Sequence, residues 1–529
     1  MKLEILDSTL RDGAQGEGIN YSLEDKVKIF KTLDKFGIGF IEGGNPSSNP
    51  KETEFFSKSL TFSAKYAKLI SFGATRKKNI RCEDDPHLLS LINAGTEYVS
   101  VFGKASYFHV TEIINTAPDE NLRMIDDTIR FCIKNGKKVF FDAEHFFDGY
   151  KNNPDYAEKV LLTAQTAGAC RIVLCDTNGG TFPSEVYDIV KSVKGLIETP
   201  LGIHCHNDIG CATACTIAAI EAGATQIQGT FIGIGERCGN TNLSVLIPSL
   251  QLKMGYDIVP EKSLLNITET ARKIAEISNI KLRNDMPYVG KSAFAHKGGM
   301  HADGVRKNSK SFEHINPESV GNKRNILLSE VAGRGAVMAR LEELLPELNI
   351  SGIDKDNPHI AVILEKIKEN EKKGLQYEAA EASFELLVKR EFGLLPEFFS
   401  IEYFKIIGEQ DGNNPSTAVV KINVGGTTEL AVSEGNGPVN AIDKALRNAL
   451  AVFYPVLNEM ALSDYKVRII DSSDATAAIT RVLIESTDGV NFWTTVGGSP
   501  DIINASVIAL TDSILYKLIH PPEAGGDSR

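Results

Sequence analysis

The stretch Leu201-Gly202-Ile203-His204-Cys205-His206-Asn207-Asp208 is an apolar run that ends in two histidines separated by one residue. Residues i and i+2 of a β-strand project to the same side, so His204 and His206 can bind one cation together. In barrels of parallel strands, functional side chains collect at the carboxyl ends of the strands. The stretch therefore predicts a strand with a metal site at its carboxyl end.

Short apolar runs of this kind recur between residue 1 and about 285, roughly every 25 to 40 residues, and amphipathic helical stretches separate them. The eight runs are Leu3–Leu6, Phe40–Glu42, Leu69–Phe72, Tyr98–Phe102, Lys138–Phe141, Arg171–Leu174, Leu201–Ile203 and Gln226–Gly229. The seventh is the least strand-like by composition. Eight parallel strands, each followed by a helix, predict an α/β protein with a (β/α)8 TIM barrel over residues 1–285.

Polar residues follow the ends of these predicted strands. They are Arg11 and Asp12 after the first strand, Glu42 at the end of the second, Glu144 after the fifth, Asp176 and Thr177 after the sixth, and His204 and His206 at the end of the seventh. A random scatter of polar residues would show no preference between the two ends of the strands. The pattern indicates an enzyme site at the carboxyl face of the barrel.

Asp12 lies across the predicted barrel mouth from the two histidines. Two imidazoles and one carboxylate form a set that suits Mg²⁺, Mn²⁺ or Zn²⁺ and leaves the identity of the metal open. Buried histidines that are simply hydrogen-bonded are the competing interpretation, and the position of His204 at a strand end disfavours it.

The segment Gly233–Asn240 is rich in glycine, but its GxGxxxG spacing after the eighth strand is not that of a dinucleotide-binding loop. This segment either brings the Asn240 carbonyl oxygen to the metal or only caps the barrel, and the spacing fits both interpretations equally.

The pattern changes after the barrel. Residues 286–395 show helices and loops, and strand-like alternation returns from about residue 396 to residue 520, within a predicted domain of residues 396–529. There, Ala418–Val424 leads into Gly437-Pro438 and a helix, and about 62 residues later Thr480–Glu485 leads into Ser499-Pro500 and a second helix. Both prolines are predicted in a first helical turn. The repeat predicts an α+β domain of two pseudo-repeated halves with a ligand cleft between them.

Composition limits the partners of this protein. The chain has 529 residues and a formal net charge of −12, with 57 basic and 69 acidic side chains. An acidic chain is a poor general binder of nucleic acid or of anionic membranes, so neither is expected as a partner. Charged residues at the amino terminus argue against a signal peptide, and the eight cysteines form no CxxC pair. A cytoplasmic protein with reduced thiols is predicted.

Several motifs together resemble those of the acyl-CoA-dependent 2-oxoacid condensing enzymes of the DRE-TIM metallolyase superfamily, which include isopropylmalate, homocitrate and citramalate synthases. These motifs are Asp7–Gln15, His204–Asp208, Gly233–Asn240 and Ala295–Gly304. Three further stretches are most similar to the citramalate synthases, namely Glu42–Pro50, Asp142–Tyr150 and Leu174–Gly180. The resemblance covers nearly the whole chain, including the two-part C-terminal domain.

The resemblance implies a reaction and its regulation. Acetyl-CoA would condense with pyruvate, and hydrolysis of the thioester would give (R)-citramalate and CoA in the pyruvate route to isoleucine. The barrel would be the catalytic domain, residues 286–395 would be linker subdomains that complete the active site, and residues 396–529 would be a regulatory domain. A homodimer inhibited by isoleucine is expected.

The resemblance also implies roles for individual residues. Asp12, His204, His206 and Asn240 would hold the divalent metal, and pyruvate would bind it through its keto and carboxylate oxygens. Arg11 would stabilise the oxygen that becomes an alkoxide, while Thr177 and Asp303 would bind substrate. Glu144 and His301 would act as the proton relay. Without the motifs, a surface salt bridge for Glu144 and a hydrogen-bonded loop histidine for His301 are the simpler interpretations.

Two positions depart from the family pattern. Phe312 stands where a tyrosine is common, so no phenolic hydroxyl is available there, and the segment 105–108 differs from the expected Trp-Asp-Leu-like pattern. Three alternatives therefore stay open. They are a synthase for a larger 2-oxoacid, of the 2-isopropylmalate or homocitrate synthase kind, a metal-dependent aldolase or lyase, and an amino-acid sensor with reduced catalytic activity.

Overall fold

The computed structural model describes residues 3–297, 299–327, 341, 357–372, 375, 377, 380–408, 416–470, 478–489 and 491–521. The chain forms two compact units. The first contains Met1–Phe294 and Ile315–Arg324, and the second contains Ala295–His314 and Asn325–Arg529.

The first unit is a closed barrel of eight parallel strands, as the sequence predicts. The strands are β1 (Glu4–Asp7), β2 (Phe40–Gly44), β3 (Lys68–Ala74), β4 (Tyr98–Lys104), β5 (Lys138–Glu144), β6 (Arg171–Asp176), β7 (Leu201–Cys205) and β8 (Gln226–Gly229). The barrel closes where β8 pairs with β1, with Asp7 opposite Gly229. Strand β7, the weakest by composition, is buried along its whole length. Burial on both faces explains why it lacks an alternating pattern.

Helices surround the barrel. They are α1 (Leu23–Phe36), α2 (Pro50–Ser59), α3 (Pro86–Asn93), α4 (Pro118–Lys134), α5 (Phe146–Asn152), α6 (Pro154–Ala167), α7 (Pro183–Leu196), α8 (Ala212–Glu221), α9 (Leu243–Pro248), α10 (Glu261–Leu264) and α11 (Ile267–Ile277). Helix α1 shows how local sequence sets these bounds. Ser22 and Asp25 form a capping box at its start, and Gly37, with φ of 104°, follows its last residue.

Two successive layers of side chains in the barrel interior differ in polarity. An apolar cluster of Leu6, Ile70 and Phe140, with Phe40 and Tyr98 packed against it, fills the layer nearer the amino-terminal ends of the strands. Side chains alternate along a strand, so Glu42, Ser100 and Asp142 lie one layer above Phe40, Tyr98 and Phe140. Above the apolar cluster, the barrel interior is therefore polar towards its carboxyl face.

The second unit contains the remaining described elements. The short strands β9 (Ala295–His296) and β10 (Asn325–Ile326) pair in parallel, and the helices α12 (Gly299–Lys307), α13 (Pro358–Lys372) and α14 (Glu381–Glu391) belong to the same unit. Its two antiparallel sheets are β11 (Ser400–Ile407), β12 (Ser416–Val424) and β13 (Thr427–Gly435), and β14 (Ala461–Ile469), β15 (Thr480–Thr487) and β16 (Phe492–Ser499).

Each sheet precedes one long helix, α15 (Pro438–Ala451) or α16 (Ile502–Ile519), so the two pseudo-repeated halves are confirmed. Pro438 is the first residue of α15, as predicted. The prediction for Pro500 is wrong, because Asp501 is the N-cap of α16 and its side chain accepts a hydrogen bond from the backbone N–H of Ile503. A capping carboxylate satisfies a free N–H of the first turn, and it leaves the proline outside the helix.

Helix α16 is the one helix in the described part of the chain that is long and apolar enough, by composition, to cross a membrane. Within the second unit, 61% of this stretch is buried. Ala505, Ala509 and Leu510 belong to the hydrophobic core that also contains Val482 and Ile484 of β15. This is the pattern of a core helix.

Candidate active site

Asp12, His204 and His206 meet at the carboxyl face of the barrel. The Nε2 atoms of His204 and His206 lie 3.3 Å and 3.8 Å from Oδ2 of Asp12. One ligand atom from each of the three residues lies within 4.8 Å of the other two, and all three residues are buried. The i, i+2 spacing therefore brings both imidazoles to the same side of the strand, as the sequence predicts.

The unsatisfied polar atoms around this cluster fit a cation. Oδ1 of Asp12, Nδ1 of His206 and Oδ1 of Asn240 are buried without a hydrogen-bond partner, while Oδ2 of Asp12 has close contacts with His204, His206 and Arg11. Asn240 forms an isolated backbone bridge with His206, which places it beside the cluster. Buried polar atoms are normally hydrogen-bonded, so a group of unpartnered oxygen and nitrogen ligands is what a divalent metal site requires.

The protonation states also suit metal binding. Burial opposes the charge on Asp12, but the Arg11 guanidinium and the two imidazoles outweigh it and hold the pKa of this carboxyl well below its ordinary value. Burial, together with the neighbouring His204, lowers the pKa of His206 to about 4. At neutral pH the carboxylate is ionised and the His206 imidazole is neutral, and these are the ligand forms.

A chain of buried side chains orients His204. Its Nδ1 atom lies 3.0 Å from Oε1 of Gln228, and Nε2 of Gln228 donates a hydrogen bond of 3.2 Å to Oδ1 of Asp142. Ser100 donates to the other oxygen of Asp142 at 2.8 Å. Because the Gln228 oxygen accepts, the neutral His204 ring carries its proton on Nδ1, which leaves Nε2 as the atom that can bind a metal.

The sequence analysis did not identify Gln228, Asp142 or Ser100 as site residues. Gln228 appeared there only as a member of the eighth strand. A glutamine inside a strand of a buried parallel barrel is a detectable anomaly, because such strands are normally apolar. Its partner, His204, lies on the neighbouring strand β7, and this contact becomes visible only when the strands are paired.

Arg11 is held beside the cluster by three contacts. Its Nε donates to Oε2 of Glu42 at 2.6 Å, its Nη1 lies 3.3 Å from Oδ2 of Asp12, and its guanidinium carbon lies 4.0 Å from the centre of the Phe72 ring. Glu42 is fully buried. Glu42, which the sequence places at the end of the second strand, therefore orients Arg11.

Glu144 pairs with a residue that the sequence analysis missed. Lys104, the last residue of β4, lies opposite Glu144, the last residue of β5, and the two side chains form an ion pair. The Glu144 side chain is 23% exposed, so it can reach both the pocket and solvent. The ion pair with Lys104 therefore holds the Glu144 side chain at the end of β5, beside the pocket that Glu144 lines.

Thr177 follows β6 and is fixed by the neighbouring loops. Its hydroxyl oxygen accepts a hydrogen bond of 2.8 Å from the backbone N–H of His145, and its carbonyl oxygen accepts one of 2.7 Å from Arg237. His145 has a left-handed φ of 57°, and its ring stacks on His109 with 3.6 Å between centroids. Asp176, by contrast, accepts hydrogen bonds from Thr181 and stabilises its own loop.

These side chains line one pocket of about 250 Å³ at the carboxyl face. Its lining includes Arg11, Asp12, Gln15, Phe72, Phe102, Asp142, Glu144, Cys175, Thr177, His204, His206 and Glu236. The polar groups converge on one side, and Phe72 and Phe102, which stack at 5.3 Å, provide an apolar wall. The pocket is small, polar and partly apolar, which suits a short organic acid.

The Gly233–Asn240 segment needs glycine at position 235. A Cβ atom there would lie 2.0 Å from Nδ2 of Asn240, and the φ of this residue is 158°. Nδ2 of Asn240 donates to the carbonyl oxygen of Ile234 at 3.3 Å, which fixes the amide. Glycine at position 235 therefore leaves the space that the Asn240 side chain occupies.

His301, Asp303 and Phe312 lie in the second unit. His301 and Asp303 are exposed residues of α12, and Asp303 forms an ion pair of 2.6 Å with Lys307. The ring of His301 stacks on that of Phe312 with 4.0 Å between centroids and 18° between planes. At the position of the family's tyrosine, Phe312 therefore keeps an aromatic ring against this histidine without a hydroxyl group.

Three family models match consecutive parts of the chain. Residues 2–275 match the HMGL-like model, residues 288–374 match the model described as homocitrate synthase post-HMGL domain-like, and residues 378–518 match the LeuA allosteric (dimerisation) domain.

Curated relatives match over almost the full length. The (R)-citramalate synthase of Aquifex aeolicus is 51% identical over 99% of this chain and 99% of that protein. The (R)-citramalate synthase of Geobacter sulfurreducens is 46% identical over 100% of this chain and 99% of that protein. A probable 2-isopropylmalate synthase of Methanopyrus kandleri is 32% identical over 97% of this chain and 98% of that protein. The chain therefore belongs to the HMGL-like family and, within it, to the (R)-citramalate synthases.

Proposed function

We propose that this protein is an acyltransferase that condenses acetyl-CoA with pyruvate and hydrolyses the thioester, giving (R)-citramalate and CoA in the pyruvate route to isoleucine. The observation that carries the proposal is the buried cluster of Asp12, His204 and His206 beside Arg11, in a chain of the (R)-citramalate synthase family. Such a cluster can hold a 2-oxoacid in place next to a cationic group that stabilises negative oxygen.

Asp12, His204 and His206, with Asn240 as a fourth ligand, are the residues that we assign to a divalent metal. Mn²⁺, Mg²⁺ and Zn²⁺ all suit this donor set of carboxylate, imidazole and amide oxygen. When bound, a divalent cation supplies the charge that polarises a keto carbonyl group. The buried and unpartnered ligand atoms support the assignment.

Pyruvate is bound, in this proposal, by groups that surround the cluster. The Arg11 guanidinium, fixed by Glu42, faces the keto oxygen, which gains negative charge as the new bond forms. Thr177 binds the carboxylate of pyruvate, and Asp303 of the second unit contributes to substrate binding. The pocket volume of about 250 Å³ and its wall of Phe72 and Phe102 support a 2-oxoacid with a small side chain.

Proton transfer starts the reaction. Glu144, with His301 as its relay, removes a proton from the methyl group of acetyl-CoA, and the resulting enolate carbon attacks the keto carbon of pyruvate. The former keto oxygen then gains a proton, and water cleaves the thioester to release CoA. The Lys104 ion pair supports this role, because it fixes the position of the Glu144 side chain at the pocket.

The three parts of the chain have different tasks in this proposal. Residues 1–285 are catalytic, residues 286–395 are linker subdomains that complete the active site, and residues 396–529 are a regulatory domain that binds isoleucine. The match to a LeuA allosteric (dimerisation) domain supports the last assignment. Eight free cysteines support a reducing, cytoplasmic location.

A homodimer through the regulatory domain is also proposed. The sheets of the second unit carry apolar side chains that are largely exposed within a single chain. They include Leu430, Val432, Val467, Ile469 and Phe492, each at least 42% exposed. Apolar sheet faces of this kind are commonly covered by a partner. A second copy of the chain is the partner that the dimerisation domain indicates.

The decisive experiment measures CoA release from acetyl-CoA with a panel of 2-oxoacids, with and without a chelator and added divalent metal. We expect metal-dependent release with pyruvate and much slower release with 2-oxoisovalerate or 2-oxoglutarate. Preference for a larger 2-oxoacid would establish the isopropylmalate or homocitrate synthase alternative. Cleavage of citramalyl-CoA without condensation would indicate a lyase, and no turnover with any substrate would favour the sensor.

A further inference from the structure

A groove of about 360 Å³ lies on the outer wall of the barrel, between helices α1 and α11. Lys28, Lys31 and Lys35 of α1 line one side of it, and Lys273 of α11 lines the other. We call it the lysine groove. Its volume lies within the range of small-molecule sites.

The lysine groove concentrates positive charge in an otherwise acidic protein. Lys28, Lys31 and Lys35 are spaced i, i+3 and i+7, so they project from the same face of α1. None of the four ammonium groups forms an ion pair or a hydrogen bond within the described part of the chain. Glu269 is the single acidic residue among those that line the groove. Four unpaired like charges repel one another and attract an anion.

Two residues with hydroxyl groups add polar lining to the lysine groove. Ser263 and Thr270 also line the lysine groove, and each is only 8% exposed. Neither hydroxyl forms a hydrogen bond with another described residue. Both hydroxyl oxygens are accessible to solvent, so they are available to donate hydrogen bonds to a ligand with acceptor oxygens.

The first turn of α11 has no side-chain cap. Asn266 precedes this helix of 11 residues, but its side chain does not cap the first turn and instead donates to the carbonyl oxygen of Lys262 at 3.1 Å. Free N–H groups at a helix amino terminus, together with the helix dipole, favour a bound anion.

We propose that the lysine groove binds a small polyanion with two or more phosphoryl groups. Several ammonium groups require a ligand with several negative charges, and phosphoryl oxygens accept hydrogen bonds from hydroxyl and N–H groups together. The groove is separate from the catalytic pocket, with which it shares no lining residue. The ligand therefore lies outside the pocket that we assign to pyruvate.

Calorimetric titration of the full-length protein with pyrophosphate, in metal-free buffer at 0.15 M salt, tests the proposal. We expect saturable binding to one site per chain. The double variant Lys31→Gln/Lys273→Gln should weaken binding at least tenfold. The matched control Lys159→Gln/Lys191→Gln, which removes two exposed lysines from α6 and α7, should bind as the wild type does. Both variants should keep wild-type rates of CoA release.

Three results would overturn the proposal. The first is the absence of saturable binding. The second is an equal loss of pyrophosphate affinity in the groove variant and in the control variant, which would show that binding depends only on the overall charge of the protein. The third is equally tight binding of citrate, which would show that the groove accepts any polyanion and has no preference for phosphoryl groups.

Discussion

Gln228 accepts a hydrogen bond from His204, with 3.0 Å between Oε1 and Nδ1. Because Asp142 accepts from the amide nitrogen of the same glutamine, the amide has only one orientation that satisfies both contacts. In the neutral imidazole this contact places the proton on Nδ1, so that Nε2, which lies 3.3 Å from Oδ2 of Asp12, is the atom that can bind a metal. The metal site thus depends on a residue that touches no metal ligand other than this histidine.

Replacing Gln228 with leucine should weaken metal binding about 10- to 100-fold, because His204 would lose the acceptor that selects its tautomer. Competition titration against a metal-binding dye measures this affinity directly. Gln226→Leu is the matched control, since Gln226 is also buried in β8 and makes no hydrogen bond to the cluster. Equal metal affinity in wild type and Gln228→Leu would show that the tautomer is set by something else.

Substitution of a ligand itself should have a larger effect. His204→Ala or Asp12→Ala should abolish CoA release while the fold is kept, because each removes a metal ligand from an open barrel mouth. CoA release is measured alongside the thermal unfolding midpoint, with the surface variant His87→Ala as control. Substantial turnover by either ligand variant in chelated buffer would refute the metal assignment.

Glu144→Gln preserves the shape of the side chain and removes its basicity. We expect kcat to fall by about 10²-fold or more, with the KM for pyruvate little changed, because the loss concerns proton removal from acetyl-CoA. Steady-state kinetics with both substrates varied would test this. An unchanged kcat would place the base elsewhere.

His145 should make the protein sensitive to acid. Burial and the stacked His109 lower its pKa to about 4, whereas an unfolded histidine titrates near about 6.5. Between these values the unfolded chain binds a proton that the folded chain excludes, so the free energy of unfolding decreases as the pH falls from 6.5 to 4.

The variant His145→Asn removes this titration, and asparagine tolerates the left-handed backbone at position 145. From pH 7 to pH 4.5, the wild type should lose about 1–2 kcal/mol more stability than the variant, after allowance for partial exposure. Urea unfolding at several pH values measures the difference. Parallel pH profiles of the two proteins would contradict the assignment.

Isoleucine should inhibit the full-length enzyme about 5- to 150-fold at saturation, which corresponds to a coupling free energy of about 1–3 kcal/mol. Deletion of residues 396–529 should remove the inhibition. Kinetics with acetyl-CoA and pyruvate across titrations of isoleucine, leucine and valine provide the test. A full-length enzyme that is indifferent to all three amino acids would exclude the feedback role.

The sequence by itself determined the barrel and much of the site. Eight apolar runs with polar residues at their ends specified the (β/α)8 fold, because strand and helix periodicities are local properties. The i, i+2 spacing of His204 and His206 placed both imidazoles on one side of a strand for the same reason. The paired C-terminal halves were visible as an internal repeat.

Only the tertiary structure decided which side chains support these groups. Gln228 and His204 are 24 residues apart, and Lys104 meets Glu144 across β4 and β5. The stacking of His109 on His145 joins two separate loops. No local pattern encodes such contacts, because they depend on the register between neighbouring strands, and closure of the barrel fixes that register.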